Sequence, residues 1–177
     1  MPFLRYSVSS VLRYSALRTQ ALRTPALPHY YRPMISPSPT SKIDPTLARG
    51  TLGSVVAATA TKPAYITFLV PNTSYELHLL PTAEVKTQPG KRLIGTIRAQ
   101  ARRMDVVQTG GQYIEPVMGR PRRVQGTVIA IAGDAVVVDA GVPVHCRPTD
   151  VRQQASQFSI GQFVSFDVLD GSTFTPQ

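Results

Sequence analysis

The sequence predicts an all-β fold, a small closed or partly open barrel behind an unstructured arm. Three observations lead there. From residue 64 onwards, short runs rich in β-branched and aromatic residues recur, each stopped by Pro, Gly, Asn or Asp. Inside these runs apolar and polar residues alternate with period 2, as on a strand with one buried face. Helical spacing is confined to residues 150–158, where Asp150 stands in the position of a cap. The 177 residues make one domain, at roughly 100–200 residues each.

Residues 1–33 hold Arg5, Arg13, Arg18, Arg23 and Arg32 and no acid. An acid-free head with Arg, Ser and interspersed Leu and Val has the texture of a mitochondrial transit peptide. The near-repeat LRYSALRTQALRTPAL points the other way, to translated repetitive DNA ahead of a true start at Met34. In either case the head is dispensable to the fold. A start at Met34 predicts a cytoplasmic protein; a genuine transit peptide from Met1 predicts the mitochondrial matrix. No apolar h-region of a secretory signal is present in the head.

Residues 34–63 carry Pro37, Pro39, Pro45 and Pro63 among Ser, Thr, Ala and Gly. Their apolar surface is too small to offset the entropy of ordering them, so this arm is expected to be disordered. The residues allow one exception, a short extended stretch over 47–56.

The folded domain is expected over 64–177. Residues 65–70 (YITFLV) read as a strand ended by Pro71-Asn72, and 75–80 (YELHLL) as one ended by Pro81. After the turn at Gln88-Pro89-Gly90 comes a long alternating stretch. Leu93, Gly95, Ile97, Ala99 and Ala101 take one face; Thr96, Arg98, Gln100 and Arg102 take the other. The small residues face inward, and Gly95 marks a bend or a close approach to a neighbouring strand. Strands follow at 113–117, 124–131, 135–139, 142–147 and 162–169, with Gly133-Asp134 forming a tight hairpin.

Four of these segments carry a resemblance. They are RVQGTVIA (123–130), DAVVVD (134–139), VHC (144–146) and IGQFVSFDV (160–168). Together they resemble an OB-fold module, in which a G-x-V strand leads into a hairpin and a later strand closes the barrel. The resemblance covers about 55 residues and implies an OB-like, Greek-key barrel. Family members of the S1 and cold-shock types place RNA-contacting aromatics on the second and third strands. Here those places hold Val136 to Val138 and Val144 to Cys146, so the resemblance brings no stacking cluster with it. Residues 64–120 resemble no family.

The net charge is +9, and its distribution matters more than its sum. The head contributes +5, residues 34–90 +1, residues 91–123 +6 and residues 124–177 −3. The middle block is the candidate site. Lys91, Arg92, Arg98, Arg102 and Arg103 share one long strand, and Arg120, Arg122 and Arg123 follow one turn later. Aligned guanidinium groups make a strip of positive potential with forked donors suited to phosphate. Arg98, Arg102, Arg103, Arg120, Arg122 and Arg123 are the expected phosphate contacts. Tyr113 is the stacking candidate, with Gln112 beside it for base edges. The competing partner for the same face is an acidic protein surface.

Catalysis and cofactors find little support in the residues. Gly110-Gly111 lacks P-loop spacing and reads as a hairpin turn. His145 and Cys146 are strand neighbours that point to opposite faces, so they cannot pair as base and nucleophile. Cys146 is expected to be a buried small hydrophobe and His145 an exterior polar residue. One Cys excludes a disulfide framework, and no His, Cys or acid spacing suits a metal. Asp139 and Asp167 are the one carboxylate pair that cross-strand packing would bring together. The sequence therefore predicts a non-catalytic protein without cofactor or metal. No run reaches the ~18–20 apolar residues of a spanning helix, so no membrane partner is expected. The leading reading is a nucleic-acid-binding barrel, RNA ahead of DNA; the alternative is a structural or adaptor barrel that binds an acidic protein.

Overall fold

The structure, a computed structural model, describes residues 43–177. Eleven strands and one 3-10 turn account for the regular structure among them. The strands are β1 (Ala48–Val56), β2 (Tyr65–Leu69), β3 (Glu76–Pro81), β4 (Arg92–Val106), β5 (Tyr113–Glu115) and β6 (Met118–Gly119). There follow β7 (Arg123–Ala132), β8 (Ala135–Asp139), β9 (Pro143–Pro148), β10 (Phe163–Val168) and β11 (Thr173–Pro176). The fold is all-β, as the alternation requires.

The pairings close two rings on a shared strand. The first runs β1-β2-β3-β11-β4 and returns to β1; the second runs β7-β8-β9-β4-β10 and returns to β7. Read in those orders, both rings have the same succession of senses. Two antiparallel pairs come first, then one parallel pair (β3 with β11, β9 with β4), then two antiparallel pairs. The fifteen residues of β4 make this possible. Gly95 and its predecessors meet β1, Ile97 to Ala101 run beside β9, and Ala101 to Val106 run beside β10.

The face assignment on β4 follows the sequence except at Thr96, expected outward and found buried. Leu93, Gly95, Ile97, Ala99 and Ala101 are buried, while Arg98, Gln100 and Arg102 are exposed. Gly95 is a close approach: a Cβ there would overlap the Thr175 carbonyl and the Phe174 ring. Gly50 on β1 makes the same allowance for the Phe68 ring, so two glycines open the space for two phenyl groups. Phe68 and Phe174 pack with centroids 5.3 Å apart at the centre of the first ring. The second ring is filled mainly by smaller groups, among them Met104, Val124, Val128, Val136, Val138 and Val164, with Phe166 beside them.

Several expectations change. Disorder over 34–63 gives way at the 47–56 stretch allowed as extended, where β1 buries Ala48 and Leu52 and pairs with both β2 and β4. Leu52 is the one large apolar side chain of β1 that is fully buried, too few for its composition to announce a strand. Residues 34–42, like the whole of the 1–33 head, lie outside the described residues. No helix forms at 150–158; a single 3-10 turn spans Ala155–Gln157. Asp150 accepts from the Arg152 amide and guanidinium instead, which closes a local turn and starts no helix. Gly110-Gly111 is no hairpin either, because β5 pairs with β7 and not with β4. Gly110, at φ 141°, lies so close to the Gln125 amide that a side chain would collide with it.

The readings of the β7–β8 turn and of Cys146 stand, and that of His145 does not. The β7–β8 hairpin turns at Gly133-Asp134, with Gly133 at φ 62°. Cys146 is fully buried, and burial pushes its thiol well above the usual range. His145 points to the other side of the strand, but it is not exterior: it is buried, and its Nε2 lies 2.9 Å from the Thr46 carbonyl oxygen. Among the described residues no helix is long and apolar enough to cross a membrane.

Candidate nucleic-acid interface

The candidate interface is the outer face of four neighbouring strands, β5, β7, β10 and β4. Alternation on β7 turns Val124, Gly126 and Val128 inward and Arg123, Gln125 and Thr127 outward. On β10 it turns Val164, Phe166 and Val168 inward and Ser165 and Asp167 outward. The register then sets these residues in rows across the face. One row runs Glu115, Arg123, Asp167. It ends on β4 at a register shift, between the Phe166–Met104 and Val168–Ala101 pairs, where Arg102 and Arg103 sit. An extra residue at such a bulge leaves both arginines facing solvent. The next row runs Tyr113, Gln125, Ser165, Asp105.

Arg102, Arg103 and Arg123 thus converge on one groove of about 360 Å³, whose other walls are Asp105, Val107, Gln125, Ser165, Phe166 and Asp167. Arg120 and Arg122 join Arg123 along a second groove of about 660 Å³ with Glu115, Pro116 and Met118. Arg98 stands apart. It lies four residues up β4 from Arg102, about 13 Å at the usual strand rise. It shares a groove with Gln100, Asp134, His145, Arg147 and Thr173. Of the six arginines the sequence grouped together, the structure gathers five.

The face is mixed in sign. Arg103 Nε lies 3.0 Å from Asp105 Oδ1, with both side chains about 60 % exposed, a pairing of little energetic weight. Asp167 and Glu115 flank Arg123 in its row. A continuous basic strip is therefore not what forms; acids alternate with arginines along it. The sequence concealed this because Asp167 is more than forty residues from Arg123 and reads as part of the acidic C-terminal third.

Tyr113 is half-buried, and its phenol donates to Gln125 Oε1 at 3.3 Å. Gln125 also donates from Nε2 to the Gly111 carbonyl at 3.0 Å, so its amide is engaged at both ends. Ser165, which the sequence gave no reason to single out, is buried in the groove with its Oγ unpartnered. Asp139 and Asp167 do not form a pair. Asp139 faces Thr127 on β7 while Asp167 faces Arg123, four residues away. Among the described residues no cluster of His, Cys, Asp or Glu is arranged to hold a metal ion.

A second surface escaped the sequence altogether. Tyr65 on β2 and His78 on β3 stack on the outside of the first ring, centroids 4.7 Å apart and planes 25° from parallel. His78 Nε2 lies 4.0 Å from Glu76 Oε1. Only the pairing of Thr67 with His78 brings the two aromatic groups together.

Comparison with family models, with curated proteins and with solved structures returned no match for this chain.

Proposed function

We propose that this protein binds nucleic acid without catalysing a reaction, through the β5-β7-β10-β4 face, and that single-stranded RNA is its preferred partner. The observation that carries the reading is the convergence of Arg102, Arg103 and Arg123 from two strands and a bulge on one groove. Guanidinium groups arriving from different directions suit the tetrahedral oxygens of a phosphate better than a planar partner. Arg120 and Arg122 extend the track beside that groove. Tyr113, at the sheet edge, offers the ring face for a base.

Two closed five-stranded rings with one parallel pair each support reading both as OB-type barrels. That likeness favours nucleic acid by fold analogy alone, and the site has to carry the rest. The test is anisotropy of labelled single-stranded RNA and duplex DNA titrated with the full chain at several salt concentrations. The expected result is tighter binding of RNA, falling linearly in log–log against salt with a slope near −0.7 per phosphate neutralised. No binding at low salt overturns the reading.

One observation favours a second reading, an adaptor that binds an acidic protein. Met118 is 65 % exposed and Val117 50 % exposed beside Arg120 and Arg122. Exposed Met next to Arg is a composition that protein interfaces favour. A protein partner would compete with RNA for the face and show a shallower salt dependence.

A further inference from the structure

We infer that the groove over Ser165 seats one phosphodiester, with the Ser165 hydroxyl as its central donor. The inference rests on the nucleic-acid reading of this face and deepens it by naming the atom on which a phosphate sits. Three observations carry it. First, Ser165 is 7 % exposed, lines the groove and has no hydrogen-bond partner at Oγ. A buried hydroxyl left unpaired destabilises the free protein, and such groups are rare enough to need a reason.

Second, the neighbours that would otherwise satisfy the hydroxyl are engaged elsewhere. Gln125, across the ladder on β7, uses Oε1 for Tyr113 and Nε2 for Gly111. Asp105, across the ladder on β4, is held by Arg103. The Ser165 hydroxyl bonds to neither of them, which leaves its proton free for a ligand.

Third, the charge around it fits the ligand. Arg102, Arg103 and Arg123 stand against Asp105 and Asp167 among the lining residues, a formal balance of +1. A phosphodiester carries one negative charge; a phosphomonoester carries nearly two at neutral pH. The two aspartates thus set an electrostatic limit that favours the backbone of a strand over a free phosphorylated metabolite.

The experiment compares wild type, Ser165→Ala and Arg102→Gln as full chains, by RNA anisotropy and by thermal unfolding of the free protein. Ser165→Ala is expected to weaken RNA binding about tenfold, the worth of one hydrogen bond to a charged group. Its salt slope should stay at the wild-type value, because no charge is lost. Its unfolding midpoint should be equal to or above wild type, because the unpaired hydroxyl is gone. Arg102→Gln should lower the slope by about 0.7. Ser165→Ala binding RNA as well as wild type does, with a steep slope in both, overturns the seat and leaves the nucleic-acid reading standing.

If wild type binds no RNA, the nucleic-acid reading fails by itself, and dimethyl phosphate and inorganic phosphate then judge the seat by amide NMR. Saturable shifts at Ser165, Arg102 and Arg123 that disappear in Ser165→Ala support it, and their absence overturns it. Preference for inorganic phosphate over dimethyl phosphate overturns the phosphodiester assignment. Equal Ser165-dependent binding of an acidic peptide overturns phosphate recognition.

Discussion

The two rings share a strand and a succession of strand senses, yet they reach closure by different routes. In the second ring four of the five strands, β7 to β10, are consecutive, and hairpins join the first three of them. In the first ring β1 to β4 are consecutive, but the closing strand is β11, beyond residues 107–172. The first ring therefore cannot close until the chain of the second has been laid down. Its contacts are the more distant in sequence, and distant contacts pay loop entropy before any packing is gained. Their cores differ to match. The first ring has Phe68 against Phe174 with Gly50 and Gly95 making room, whereas the second is filled by Val, Met and one Phe. One aromatic pair on a short terminal strand thus holds a ring whose closure is otherwise weakly specified.

Removing that pair tests the idea most severely. Phe174→Ala is expected to lose about 3–5 kcal/mol by chemical denaturation. Met104→Ala, equally buried in the second ring, is expected to lose about 2–5 kcal/mol. The sharper readout is hydrogen exchange. In Phe174→Ala the amides of β1, β2 and β3 should lose protection before those of β7 and β8, and in Met104→Ala the order should reverse. Uniform loss in both variants would mean that β4 couples the rings into one cooperative unit, and the comparison would dissolve.

Next in size come the glycines that let strands approach. Gly126→Ala sets a Cβ against the Asp139 carbonyl, a rigid backbone atom, while Gly50→Ala meets the Leu69 carbonyl and the Phe68 ring edge. Each should cost about 1–3 kcal/mol as an overpacked site. If Phe68→Leu recovers part of the Gly50→Ala loss and no side-chain change recovers Gly126→Ala, the two rings are shown to be tight for different reasons. Both variants are read by urea unfolding.

These differences explain what the sequence made legible. The outward set Arg98, Gln100 and Arg102 and the inward set Leu93 to Ala101 were readable because alternation on a strand is local. So was the β7–β8 turn, where Gly133 takes the positive φ that a tight hairpin needs. Strand β1 was legible only as a possible extended stretch, since Pro45 and a run of Gly, Ser, Ala and Thr hide a strand whose burial depends on partners elsewhere. Strand β11 was not legible, being four residues that signify nothing until β3 and β4 flank them. The site divides in the same way. The arginines announced themselves by composition, but Ser165 and Asp167 joined them only through the register of β10 against β7 and β4. Register across separate segments is set by the whole core and not by any one strand.

Binding distinguishes the arginines in the second ring's groove from the one near the junction. Arg102→Ala and Arg123→Ala should each reduce the salt slope for single-stranded RNA by about 0.7. Arg98→Ala, in the groove with Asp134, His145 and Arg147, should change it by less. An equal loss at Arg98 would extend the nucleic-acid track along the whole of β4, onto the first ring.

The smallest effect concerns the loop between β9 and β10, set against the segment that leads into β1. Each holds an aspartate whose carboxylate accepts the backbone amide two residues on: Asp150 from Arg152, Asp44 from Thr46. The Thr46 hydroxyl and amide lower the Asp44 pKa, whereas Asp150 receives, besides the amide, the Arg152 guanidinium through Nε and Nη2 at 3.0 and 2.9 Å. That guanidinium, with the Arg152 amide, brings its carboxyl down to about 2. A carboxyl lowered on folding stabilises the native state at pH values above its unfolded pKa. The contribution is lost as pH falls through the folded one, so the Asp150 turn should hold from neutral pH down to about 4 and loosen towards 2. Carboxyl-carbon NMR should place the Asp150 midpoint near 2 and below that of Asp44. Arg152→Ala should raise the Asp150 midpoint and leave Asp44 where it is. A midpoint for Asp150 that ignores Arg152 would mean that the backbone amide alone sets it, and the guanidinium would be only a surface neighbour.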